Sequence, residues 1–179
     1  MKDHHKILNI AVIVAALGYL VDIYDLVLFT IVRVKSLQSL GLTPEEIEDK
    51  GLILLNIQMM GMLLGGVFWG ILGDRKGRLS VLFGSIIMYS LANILNGMVQ
   101  TVDQYYILRF IAGFGLAGEL GAGITLVSEI MSKERRGWGT TVVATVGVFG
   151  AVVAGLVFKF SGGDWRLCYY IGGGQVTLK

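Results

Sequence analysis

Five apolar runs, each long enough to cross a bilayer, decide what this chain can become. They cover roughly residues 7–32, 51–73, 79–100, 104–131 and 138–160, and a helix of about 20 apolar residues spans the hydrocarbon. A sixth run begins near Leu167 and gives way after Ile171 to "GGGQVTLK". The runs are too long for barrel strands and do not alternate as such strands do. Only 16% of the residues are charged and the mean hydropathy is +0.70, against about 25% charge for a soluble domain. The 26 glycines and single proline suit helices whose backbones approach closely in lipid. One cysteine, Cys168, leaves no disulfide framework and no cysteine metal cluster. A net charge of +2 gives no reason to expect nucleic acid as a partner. The expected fold is an all-α membrane bundle with the lipid bilayer as its surroundings.

Lys and Arg in the connections set the orientation. One side carries eight: Lys2, Lys6, Arg75, Lys76, Arg78, Lys133, Arg135 and Arg136. The other carries five, Arg33, Lys35, Lys50, Lys159 and Arg166, and its segment "TPEEIEDK" is mostly acidic. The first side is therefore read as cytoplasmic, with the amino terminus inside and the protein multi-pass in the plasma (inner) membrane. The apolar run continues past Gly18, so the opening reads as an uncleaved first helix rather than a signal peptide. His4 and His5 read as a solvated terminus, with no metal or cofactor expected. The one sizeable loop is expected over 33–50, outside the membrane on the far side. Within it Thr43-Pro44-Glu45-Glu46 has the form of a capped helix start.

The stretch "WGILGDRKGRLSVL" crowds Asp74, Arg75, Lys76 and Arg78 between two apolar runs. Topology alone would account for the basic residues but not for Asp74, nor for the glycines around it. Gly77 allows a tight turn that a side chain would obstruct. "GILGDRKGR" resembles the G-x-L-x-D-R-x-G-R signature between helices 2 and 3 of the major facilitator superfamily, with Gly70, Leu72, Asp74, Arg75, Gly77 and Arg78 matching. The resemblance implies a conformational gate at the cytoplasmic loop 74–78, in which Asp74 is the latch acid and Arg75 and Arg78 its basic partners. "RFIAGFGLAGELGAGITLVSEIMSKERRG" resembles helix 4 of that family and its exit loop, Glu129 and Arg136-Gly137 matching an E-x(6)-R-G ending. Glu129 and Arg136 are thereby implied as gate partners. "DWRLCYY" resembles the start of helix 6. The likeness reaches to about Gly172, and it implies that residues 1–179 are the amino-terminal half of a twelve-helix transporter. The missing carboxy-terminal half would then be a partner.

"GFGLAG", Gly113 to Gly118, fits the dinucleotide fingerprint but lacks the strand and βαβ unit that fingerprint needs. It reads instead as a close helix contact or a substrate-facing groove. Gly61-x3-Gly65, Gly66-x3-Gly70 and Gly147-x3-Ala151-x3-Gly155 follow the same small-residue logic.

Asp22, Asp25, Arg109 and Glu119 lie inside apolar runs, where an ionisable group costs several kcal/mol unless paired or hydrated. Asp22 and Asp25 share a helix face beside Tyr24. Arg109 and Glu119 stand ten residues apart, about 15 Å along a helix, too far to pair. One reading is that such charges merely hold the bundle together; that reading stays open for Asp25. Asp22 and Arg109 read as functional. A desolvated acid favours its protonated form, which suits proton uptake and release, and an arginine can hold a carboxylate.

"GYLVDIYDLVLF" resembles helix 1 of proton-coupled symporters for organic acids, aromatic acids and phosphate, with D-x-[FY]-D in mid-helix. "GLAGELGAG" resembles the G-G-E-W-G stretch of metabolite–proton symporters, with Leu120 in place of the aromatic residue. The resemblance implies secondary transport of a small metabolite, an organic anion, with protons by alternating access. Asp22, Tyr24, Asp25, Arg109 and Glu119 are its implied proton and substrate residues. A sugar or drug transporter of the same superfamily, or a channel or non-transporting membrane subunit, are the alternatives. The fifth run has no proline, since Pro44 is the only one, which disfavours the drug antiporters. No nucleophile-and-base or metal-ligand set suggests an enzyme.

Overall fold

The computed structural model describes the backbone of residues 2–130 and 136–176, with side chains at 13, 16–123, 125 and 137–174. The described chain forms six helices, α1 (Lys2–Ser39), α2 (Pro44–Lys76), α3 (Arg78–Asn96), α4 (Val102–Ile130), α5 (Arg136–Phe160) and α6 (Trp165–Val176). Pro44–Lys76, Arg78–Asn96 and Gly137–Phe160 are long and apolar enough to cross a membrane. At 38 and 29 residues, α1 and α4 exceed the required length.

The bundle is apolar outside and polar within. Leu63, Val67 and Ile71 on α2, Phe83, Ile87 and Leu91 on α3, and Val148, Phe149 and Val152 on α5 are all exposed. Asp22, Asp25, Gln58, Asn93, Asn96, Arg109 and Glu119 are buried. Water would reverse that arrangement; a hydrocarbon solvent permits it.

The connection expected over 33–50 shrinks to residues 40–43. Polar residues do not end α1, because Ser36 and Leu37 stay fully buried and the Ser36 and Ser39 hydroxyls donate back to helix carbonyls. The corner itself is closed by Leu42 N–H to the Leu37 carbonyl at 3.3 Å and Gly41 N–H to the Gln38 carbonyl at 3.0 Å. Thr43 then caps α2. Its hydroxyl accepts from the Glu46 N–H at 3.4 Å, while Glu46 Oε2 accepts from the Thr43 N–H at 3.0 Å, with Pro44 in the first turn. These bonds hold the Glu46 carboxyl below its ordinary range.

Helix packing follows the glycines, though not all of those the sequence suggested. α2 lies against α4 and α1 against α5, while α3 touches both α4 and α6. Gly61 and Gly65 meet the carbonyls of Phe110 and Phe114, and Gly113 meets that of Gln58, so closely that no Cβ fits. Trp69 adds an indole N–H bond to the Phe114 carbonyl at 2.8 Å. Gly115 and Gly118 rest on Tyr89 and Ser85 of α3. "GFGLAG" is thus a two-sided helix contact. Gly66, Gly70 and Gly155 meet no neighbour among the described residues, so those residues form no contact at Gly66-x3-Gly70. On α5 the close approach is at Gly147 and Gly150, against Tyr19 and the Leu20 carbonyl.

The last helix also outlasts its sequence expectation. α6 runs on past Ile171 through the glycine run to Val176. Gly172 rests on Tyr24, and Gly173 on Ser90 and Ile94, so these glycines are contact points rather than helix stops.

Candidate functional site

Arg109 is the largest fully buried side chain among the described residues. Its Nη1 stands 3.5 Å from Asp25 Oδ2, and its guanidinium lies 4.0 Å from the Phe29 ring centroid and 5.5 Å from that of Tyr169. Within the described residues, no hydrogen bond reaches Nε, Nη1 or Nη2 of Arg109, or either Asp25 oxygen. An arginine fork is built for two parallel bonds to a carboxylate. Here it has charge balance and aromatic faces without those bonds.

Above this pair, toward the end of the bundle that carries Pro44, an aromatic layer closes the space. Tyr105 and Tyr169 share a hydroxyl–hydroxyl hydrogen bond of 2.6 Å, and Tyr105 reaches Ser36 Oγ at 3.3 Å. Phe29 meets Tyr105 edge to face at 6.2 Å between centroids. Trp165 packs on both tyrosines. Tyr105 is one helical turn from Arg109 on α4, so the same helix face supplies the cation and its cover.

Below the pair, Tyr89 of α3 packs with Val21 of α1 and Leu116 of α4, the two helices that carry Asp22, Asp25, Arg109 and Glu119. The four ionisable residues singled out from the sequence are thus all buried on helices that meet at Tyr89, itself fully buried. Asp25, rather than Asp22, forms the described ion pair with Arg109. Tyr24 turns elsewhere: its hydroxyl donates to the Cys168 carbonyl at 3.1 Å, tying α1 to α6.

Helix register places further polar groups near the level of Arg109. Gly115 of α4 packs on Tyr89 of α3. Six residues back along α4 to Arg109 is about 9 Å, and the same step along antiparallel α3 leads from Tyr89 to the level of Asn93 and Asn96. Gly173 of α6 meets Ser90, which puts Tyr169 at that level too. Asn93, Asn96, Ser90, Gln58, Tyr105 and Tyr169 are buried and were not singled out in the sequence. The available signal was Asn at i and i+3 inside an apolar run.

At the opposite end, Asp74, Arg75 and Lys76 form the last turn of α2, and Arg78 opens α3. Gly77 joins them at φ +88°, a conformation that glycine adopts without strain. Arg78 Nη2 bonds Asp74 Oδ1 at 2.9 Å and its guanidinium lies over Gly73. Arg75 and Lys76 are exposed. The side chains of Glu129 and Arg136 lie outside the described residues.

Comparison with known proteins agrees with the loop. The family model of the Major Facilitator Superfamily matches residues 8–176. The niacin transporter of Acinetobacter baylyi is 33% identical over 89% of this chain and 36% of its own length. The benzoate transport protein of the same organism is 27% identical over 93% of this chain and 36% of its own. Inorganic phosphate transporter 1-1 of rice (Oryza sativa subsp. japonica) is 30% identical over 80% of this chain and 30% of its own. The chain thus spans about a third of the length of these relatives. Signature loop, helical bundle and family match agree, and the chain belongs to the major facilitator superfamily.

Proposed function

We propose that this chain forms the amino-terminal half of a secondary transporter that moves a small organic anion with protons by alternating access. The observation that carries the reading is Arg109: a permanent cation, fully buried, facing one acid at 3.5 Å and otherwise aromatic rings. Desolvating such a charge costs several kcal/mol, and a core that needed only packing would do better with an apolar side chain. An anion arriving at Arg109 supplies the two parallel bonds that Asp25 does not make. The relatives named for niacin, benzoate and phosphate all handle anions, and the first two handle aromatic carboxylates that suit a site walled by Phe29 and Tyr169.

Protons enter this reading through the acids. Asp25 faces Arg109 at 3.5 Å, where a substrate anion would compete with it for the guanidinium, and it is one candidate proton site. Asp22, beside it on α1, is the leading proton site, and Glu119 on α4 is the other candidate, both buried in the same interior. Asp74, Arg75 and Arg78, with Gly70 and Gly77 shaping the turn and Glu129 and Arg136 as partners, form the cytoplasmic gate. The protein crosses the plasma (inner) membrane with its amino terminus inside. In a Cys168-free background, labelling from outside should reach a cysteine at position 46 and not one at 76; the reverse pattern overturns the orientation.

The test of function is uptake by the complete transporter in proteoliposomes. Nicotinate or benzoate should accumulate against its gradient when the lumen is made alkaline, and a protonophore should abolish the accumulation. Arg109→Lys should raise KM, because the charge stays while the fork is lost. Flux that only runs downhill and ignores the pH gradient would favour a channel.

A further inference from the structure

α3 carries a strip of buried polar groups that the charged site does not explain. Tyr89 Oη, Ser90 Oγ and all four amide atoms of Asn93 and Asn96 are buried with no hydrogen bond from the described residues. Leaving a buried polar atom unsatisfied is costly, and leucine would fill either asparagine position at no such cost. The two asparagines sit one turn apart on one helix face, and the register with α4 and α6 brings them to the level of Arg109 and Tyr169.

We propose that Asn93 and Asn96 form a neutral subsite that reads a hydrogen-bonding heteroatom of the substrate while Arg109 holds its carboxylate. The proposal rests on the transport reading above. A carboxamide offers both a donor and an acceptor, so the strip suits a ring nitrogen, a hydroxyl or an amide. It does not suit a second carboxylate, since Arg109 is the one buried cation among the described residues. The substrate class is therefore a monocarboxylate bearing a neutral polar atom. Discrimination follows from the same cost: a hydrocarbon analogue would bury the amides without a partner, and sites of this kind reject such analogues strongly.

The experiment uses the complete transporter in proteoliposomes under an imposed pH gradient, with benzoate, nicotinate and 4-hydroxybenzoate as probes. Wild type should show a lower KM for at least one of the two heteroatom acids than for benzoate. Asn93→Leu and Asn96→Leu should shrink that preference, each by roughly three- to tenfold. If a leucine variant does not reach the membrane, Asn93→Ser and Asn96→Ser carry the same measurement with a smaller expected change. Equal KM values for the three acids in wild type overturn the subsite. So does a variant that raises all three by one factor, which marks the asparagines as packing residues and leaves the transport reading standing. A wild type that accumulates none of the acids fails the transport reading itself.

Discussion

Asp74 and Arg78 bond at 2.9 Å across Gly77, each with its charge opposed to the dipole of its own helix end. An acid in the last turn of α2 and a base in the first turn of α3 are both unfavourable locally. The arrangement makes sense if the pair is exchanged between states. Asp74 is the more exposed partner, so its contribution is small, about 1 kcal/mol. Asp74→Asn in the complete transporter should therefore shift the inward/outward distribution by roughly fivefold and slow turnover while leaving insertion intact. Distance measurements across the gate that match wild type, with normal turnover, would remove the loop from the gate.

Two glycines on α2 and α4 should respond in opposite ways to the same methyl group. At Gly113 a Cβ meets the Gln58 backbone carbonyl, whereas at Gly66 it meets nothing. Gly113→Ala should destabilise by about 1–3 kcal/mol. Gly66→Ala should be neutral or gain up to about 1 kcal/mol from helix propensity. Thermal denaturation of the solubilised complete transporter reads both. Equal effects would mean that α2 and α4 are not in backbone contact there.

The cap of α2 should depend on pH in one direction. The Glu46 carboxyl lies below its ordinary 4.5 because Thr43 donates to it, with Lys50 at 3.5 Å adding to the effect. A depressed folded-state pKa gives stability that is fully present above the unfolded value and lost as pH falls through the folded one. Protection of the Thr43 amide, taken relative to its intrinsic exchange rate at each pH, should therefore be high at neutral pH and fall below 4.5. Glu46→Gln keeps an acceptor without a titration and should flatten the profile. A wild-type profile already flat through that window would count against the capping box.

Most of the architecture could be read from the sequence because the solvent imposes it. Runs 51–73, 79–100 and 138–160 fall on α2, α3 and α5, since hydrocarbon allows few structures other than helices. The errors arose where tertiary packing outweighed composition. α1 continues through polar residues to Ser39 because Leu37 is buried in the core beside Ile47. α6 continues through its glycines because they touch Tyr24 and Ser90. Buried charges were conspicuous in an apolar sequence, so Asp22, Asp25, Arg109 and Glu119 could be found. Which acid meets Arg109 is set by how α1 rotates against α4, and no spacing within one helix reveals that. Asn93, Asn96, Tyr105 and Tyr169 escaped notice because neutral polar residues perturb hydropathy too little to stand out.

Separating structural from coupling acids is the sharpest use of the site. Asp25 faces Arg109 at 3.5 Å, so Asp25→Asn strands a buried cation, at a cost of about 3–5 kcal/mol. The double variant Asp25→Asn/Arg109→Gln removes both charges and should recover most of that stability, yet it should not transport, because no cation remains to hold the anion. Asp22→Asn leaves the Arg109–Asp25 pair intact, mimics a protonated acid and keeps its shape. It should lose proton-driven accumulation while retaining substrate exchange across the membrane. The measurements are melting temperature for all three variants, set beside accumulation under a pH gradient and counterflow without one. If Asp22→Asn accumulates substrate as wild type does, the coupling proton must reside on Asp25 or Glu119.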